Sequence, residues 1–69
     1  MKKIIILIPV FNDWDSLKKL IGEINENIKD FKDINFECLI VNDASTINRP
    51  KIIKPNHIKS FEILNMKKN

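Results

Sequence analysis

Sixty-nine residues hold one domain at most, and its core must be thin, since a chain of about 60 residues hides only about 60% of its unfolded surface. The single cysteine, Cys38, excludes an internal disulfide and any paired-cysteine zinc spacing, and the single glycine, Gly22, excludes both a GxGxxG dinucleotide fingerprint and a P-loop. The net charge of +3 is unevenly placed: residues 1–48 hold six lysines against eight acids, whereas residues 49–69 hold six basic residues and only Glu62.

The chain opens "MKKIIILIPVFND", two lysines and an apolar run that could front a secretory signal. No small-residue cleavage pattern follows, and Asn12, Asp13 and Asp15 arrive at once, so the segment is expected to stay in the mature protein. The run is also far shorter than the about 20 residues needed to span a bilayer. Residues 4–10, "IIILIPV", are β-branched or leucine with no alternation, which predicts a strand of a parallel sheet covered on both faces. Pro9 sits at its end, where a missing ladder donor matters least.

A helix start follows. Asn12 or Asp13 can cap the free N–H groups, Asp15 adds negative charge to the first turn, and Asn12 with Asp15 imitates a capping box. Trp14, Leu17, Leu20, Ile21, Ile24, Ile28 and Phe31 recur at spacings of three and four, which predicts one apolar helix face over about five turns. Gly22 in mid-helix costs about 1 kcal/mol relative to alanine.

A polar link at residues 32–35 leads to a second apolar run, "FECLIV", ending in "NDAST". Strand, helix, strand with a helix of this length predicts two adjacent parallel strands joined in the right-handed sense. Residues 47–60 carry Pro50 and Pro55 and read as a loop with one short turn. His57 in this lysine-rich and proline-rich stretch reads as a solvated loop histidine. "FEILNM", residues 61–66, makes a third strand. Three parallel strands with one helix leave one sheet face bare, which predicts either the front end of a larger domain or a protein that must associate.

In open α/β sheets ligands bind beyond the carboxyl ends of the strands. Those ends are "PVFND" and "NDAST", and strand pairing brings Phe11 to Asp13 close to Asn42 to Ser45. One ring, several carboxylates and some hydroxyls suit a nucleoside better than a triphosphate. Phe11 can stack on a base, and Asp43 can accept hydrogen bonds from base N–H or ribose hydroxyl groups. The blander alternatives are a ring that closes off the core and a carboxylate that serves a turn or helix cap. No Ser/His/Asp or Cys/His constellation with a usable arrangement is present.

The pair "IIILIPVFND" and "FECLIVNDAS", with a helix between, resembles the amino-terminal end of family 2 glycosyltransferases. These are GT-A fold enzymes whose first strand usually ends IPVYN or IPVFN and whose second ends VDD or VND, then any residue, then serine. "FEILNMKKN" is similar to the family's third strand and the polar turn after it, and only residues 47–60 match weakly. The resemblance implies an α/β fold, a partial Rossmann-like β-α-β-β unit with a parallel sheet. Residues 1–69 are then the front part of a single domain.

It also implies transfer of a sugar from a nucleotide-sugar donor, a UDP- or GDP-sugar, with a divalent metal such as Mg or Mn bridging the donor diphosphate. On that analogy Pro9 and Phe11 line the nucleobase pocket, Asp13 lies beside it, and Asp43 holds the base or ribose, with Asn42 and Ser45 completing the nucleotide-sugar-binding set. Asn42 stands where an acid is common and Ala44 where glycine is usual. The family's metal-binding DxD motif follows its fourth strand and its catalytic base comes later, so these residues alone are expected to transfer no sugar.

Two further readings compete. A non-catalytic α/β module can self-associate or bind a partner through the bare sheet face. The basic residues 49–69 can attract phosphate groups of a nucleotide, a nucleic acid or a membrane surface, or form a solvated lysine-rich face. They carry no interleaved aromatics beyond Phe61 and no nucleic-acid motif, so no nucleic-acid partner is expected. The lone thiol fits a reducing, cytoplasmic setting, with the full-length parent peripheral at a membrane as an open alternative.

Overall fold

A computed structural model describes residues 2–43, 46 and 50–66. Strand β1 (Lys2–Val10) is followed by helix α1 (Trp14–Ile28), strand β2 (Ile34–Asp43) and strand β3 (Ser60–Met66). The three strands form one sheet in the order β1-β2-β3, and both pairings are parallel. This is the expected α/β, Rossmann-like β-α-β-β unit.

Strand side chains alternate between faces, so the register decides which residues share the core. Ile6 pairs with Cys38 and Cys38 with Phe61; one layer further on, Ile8 pairs with Ile40 and Ile40 with Ile63. These even-numbered β1 and β2 positions and their β3 partners face α1, whose Trp14, Leu17, Ile21 and Ile28 are buried in the same cluster. Ile40 lies at its centre with no exposed surface. On the other face Ile5, Leu7, Leu64 and Met66 are half or more exposed. A strand covered on both faces is therefore not what β1 is within the described residues: the bare face that one helix was expected to leave is present.

Several boundaries move. β1 begins at Lys2 and β2 at Ile34, two residues before each predicted start, because the ladder already pairs Lys2 with Ile34 and the Lys2 N–H donates to the Asp33 carbonyl at 3.2 Å. The helix ends at Ile28 and does not reach Phe31. There the Phe31 N–H closes a tight turn onto the Ile28 carbonyl at 3.0 Å, and its ring meets Phe36 edge-on, 6.2 Å between centroids. Leu20, placed on the predicted apolar face, is 42% exposed at the recess beside β1.

Residues 50–59, between β2 and β3, pass against α1 without a regular element, apart from a turn at 56–57. Three anchors hold them. Ile58 is buried in the core, the His57 N–H donates to Asn25 Oδ1 at 2.9 Å, and Asn25 Nδ2 donates to Asn56 Oδ1 at 3.2 Å. Lys54 Nζ donates to the Ile58 carbonyl at 2.7 Å, which fixes the same turn from the other side. The short turn is as expected and His57 is exposed on it; residues 47–49 lie outside the described residues.

Candidate functional site

Parallel pairing puts the carboxyl ends of β1 and β2 at the same edge of the sheet, with Pro9 beside Val41 and Val10 beside Asn42. The chain must then reverse from strand into helix. Asn12 takes the left-handed conformation, φ 62°, to do so. Most L-residues resist that region by about 1–2 kcal/mol, and asparagine is among the few that visit it readily.

The expected capping is not what these residues do. Asp13 occupies the N-cap position but makes no side-chain cap hydrogen bond, and the helix opens with the Leu17 N–H on the Asp13 carbonyl at 3.1 Å. The Asn12 side chain turns instead toward the chain beyond β2. Its Oδ1 accepts the Thr46 backbone N–H at 2.7 Å, and its Nδ2 donates to Thr46 Oγ1 at 3.0 Å. Because an N–H can only donate, the Thr46 amide fixes which end of the Asn12 amide is oxygen.

The predicted site residues divide into two groups. Pro9, Phe11 and Asp13 line a recess of about 340 Å³ between β1 and the first turns of α1, closed on the helix side by Ser16, Leu17 and Leu20. Phe11 is 53% exposed, so its ring does not serve the core and is presented outward at the rim. Asn42 and Asp43 do not line this recess. Asn42 Nδ2 donates to Asn65 Oδ1 at 3.0 Å, a cross-strand pair in register on β2 and β3, while Asp43 is exposed at the end of β2. Ser45, and Ala44 with it, lie outside the described residues. The two groups thus share one edge of the sheet, bridged by Asn12 and Thr46, without sharing one cavity.

A wider recess, about 520 Å³, lies elsewhere, against Pro50, Ile52, Phe61 and Ile63. Apart from Lys51 its described side chains are apolar, and none among them is an acid or hydroxyl that would orient a polar ligand, so the strand-end edge carries the better chemistry. Cys38 is buried between the sheet and α1, and burial pushes its thiol up from the ordinary value, which makes it a structural and unreactive group. Among the described residues one buried polar atom, Trp14 Nε1, has no hydrogen-bond partner, at a cost of about 1–3 kcal/mol.

Asn12 and Thr46 lie within the expected strand ends "PVFND" and "NDAST", but sequence reasoning did not predict their pairing. A signal for Asn12 existed, since asparagine stood where a strand must reverse into a helix. Nothing marked Thr46, whose partner is 34 residues away.

A parallel α/β sheet with its polar groups gathered at the strand ends is the arrangement of a ligand-binding Rossmann-like unit. The sequence model described as "Glycosyl transferase family 2" matches residues 5–69, so the chain belongs to that family, whose chemistry in general terms is glycosyl transfer. No curated protein and no solved structure matches the chain.

Divalent metals are common in the family. Among the described residues no three His, Cys, Asp or Glu side chains come together to hold an ion. The described residues do not form such a centre. Among the same residues no helix is long and apolar enough to cross a membrane.

Proposed function

We propose that this chain binds the nucleotide of a UDP- or GDP-sugar donor at the carboxyl ends of β1 and β2 and serves glycosyl transfer through that binding. The observation that carries the reading is the union of the two strand ends at one edge, with Phe11 exposed beside Asp13 and with Asp43 free of the core. Phe11 stacks on the base. Asp43 accepts hydrogen bonds from the base or ribose, and Pro9 and Asp13 shape the recess wall. Asn42, tied to Asn65 across β2 and β3, and Ser45 complete the proposed nucleotide-sugar-binding set.

On the same reading residues 1–69 are the front part of a single glycosyltransferase domain, and the metal motif and catalytic base belong to the rest of it. The chain alone then transfers no sugar; donor-dependent transfer by the purified chain would overturn that part. Calorimetric titration with UDP and GDP tests the binding itself. Saturable heat that weakens about 5-fold to 150-fold in Phe11→Ala is expected, from a base–aromatic stack worth about 1–3 kcal/mol. Unchanged affinity in both Phe11→Ala and Asp43→Asn would remove the assigned site.

A second reading has its own observation. Ile5, Leu7, Leu64 and Met66 leave an apolar sheet face open, which suits a non-catalytic module that self-associates through it. It requires a stable oligomer at micromolar concentration with no response to nucleotide, so a monomer that binds UDP or GDP would exclude it.

A further inference from the structure

We infer that Asn12 is a positioning residue: through Thr46 it latches the strand-end turn of β1 to the chain beyond β2, and so holds the two halves of the nucleotide site at one spacing. The inference rests on the nucleotide reading for its consequence, but the latch itself is geometry. The two segments are far apart in sequence, and β1–β2 pairing ends where Val10 meets Asn42. Past that point no further β1–β2 rung joins Phe11 to Asp43, although Asp43 stays in register with Met66 on β3. The Asn12–Thr46 pair is a connection between the two segments beyond that rung, with two hydrogen bonds at 2.7 and 3.0 Å between one side chain and one residue.

Asparagine meets three requirements here that few residues meet together. It tolerates φ 62°, its oxygen accepts the Thr46 N–H, and its amide donates to the Thr46 hydroxyl. It does so without charge. Aspartate would satisfy the same geometry, because the Thr46 hydroxyl can rotate to donate to a carboxylate. It would also add a third carboxylate to the edge that holds Asp13 and Asp43, where a bound nucleotide brings its own negative diphosphate into range. The neutral side chain therefore separates the latch from the charge of the site.

The experiment uses the full chain, its Asn12→Gly, Asn12→Asp and Thr46→Ser variants, and amide ¹⁵N–¹H spectra with UDP and with uridine as probes. Unchanged peaks for Cys38 and Ile40 show that each variant is folded. Without nucleotide, the Thr46 amide should exchange with water at least fivefold more slowly in the wild type and Asn12→Asp than in Asn12→Gly. With nucleotide, Asn12→Gly should bind UDP about 5-fold to 20-fold more weakly, and Thr46→Ser within about 2-fold of wild type. Asn12→Asp should lose at least 5-fold for UDP and stay within about 2-fold for uridine, a split that loss of fold alone cannot produce. Equal Thr46 exchange in wild type and Asn12→Gly overturns the latch. Equal UDP affinity in those two overturns its role in positioning while leaving the nucleotide reading intact. A wild-type chain that ignores UDP overturns the nucleotide reading and the positioning role together, and the Thr46 amide alone then decides the latch.

Discussion

The two faces of this sheet are nearly matched in sequence and opposite in fate. Ile6, Ile8, Cys38, Ile40 and Ile63 face α1 and form the core; Ile5, Leu7, Leu39, Val41 and Leu64, their immediate neighbours along the same strands, face away. Leu7 is 62% exposed while Ile8, the next residue, is 9% exposed. Hydrophobicity therefore does not decide which face is covered. The single amphipathic helix and the Ile52–Ile58 crossing decide it, and they lie on the same side.

If that contrast is right, the largest effect falls on the covered face. Ile40→Ala should cost about 2–5 kcal/mol, enough to unfold so small a core, as followed by urea denaturation. Leu7→Ala should change stability by no more than about 0.5 kcal/mol in the same assay at low concentration. A comparable loss in both would mean that the outer face is covered in solution, and the loss should then grow with protein concentration.

Gly22→Ala sharpens the account of the helix. An added Cβ meets nothing within 4 Å, so relief of the glycine penalty is unopposed and a gain of about 1 kcal/mol is expected in thermal melts. A destabilised Gly22→Ala variant would show that something approaches this helix face.

Cys38 offers a pH-dependent test of the covered face. Its folded value is raised by burial, so above the ordinary thiol range the unfolded chain has released a proton that the folded chain retains. Stability should be undiminished below that range and fall as pH rises through it toward the folded value, by at most about 1.4 kcal/mol per pH unit. Cys38→Ala should flatten that part of the profile. A small effect belongs to the open face, where the Lys3–Glu37 ion pair at 3.4 Å is exposed on the lysine side; Lys3→Met should cost less than about 0.5 kcal/mol, and that cost should shrink as salt is added.

The same contrast explains what could be read in advance. The periodicity of Trp14, Leu17, Ile21 and Ile28 predicts α1 and its buried side, because a helix records burial in its spacing. Continuous runs such as "IIILIPV" record a strand but not its covered face, so β1 was legible as an element and not as a half-bare one. Phe31 kept the helical spacing and still left the helix, because its ring finds Phe36 once the chain turns. Ile58 is almost fully buried yet stood in a stretch of lysines, prolines and asparagines with no period to mark it.

At the candidate site the strand ends and Phe11 were legible from the rule that parallel sheets bind at their carboxyl edges. The role of Asn12 was not, since a local reading assigns asparagine before a helix to capping, whereas its partner here is brought in by tertiary pairing. The cross-strand bond from Asn42 to Asn65 was not legible either, since it depends on the register with β3.

The measurement that bears most directly on the central claim is a residue-by-residue amide map of the wild-type chain during titration with UDP. Saturable shifts confined to residues 10–13 and 42–46, with residues 51–54 and the exposed face of β3 unmoved, are predicted. Shifts gathered instead at residues 51–54 and 61–63 around the wider recess, or no shift anywhere in a well-dispersed spectrum, would contradict it.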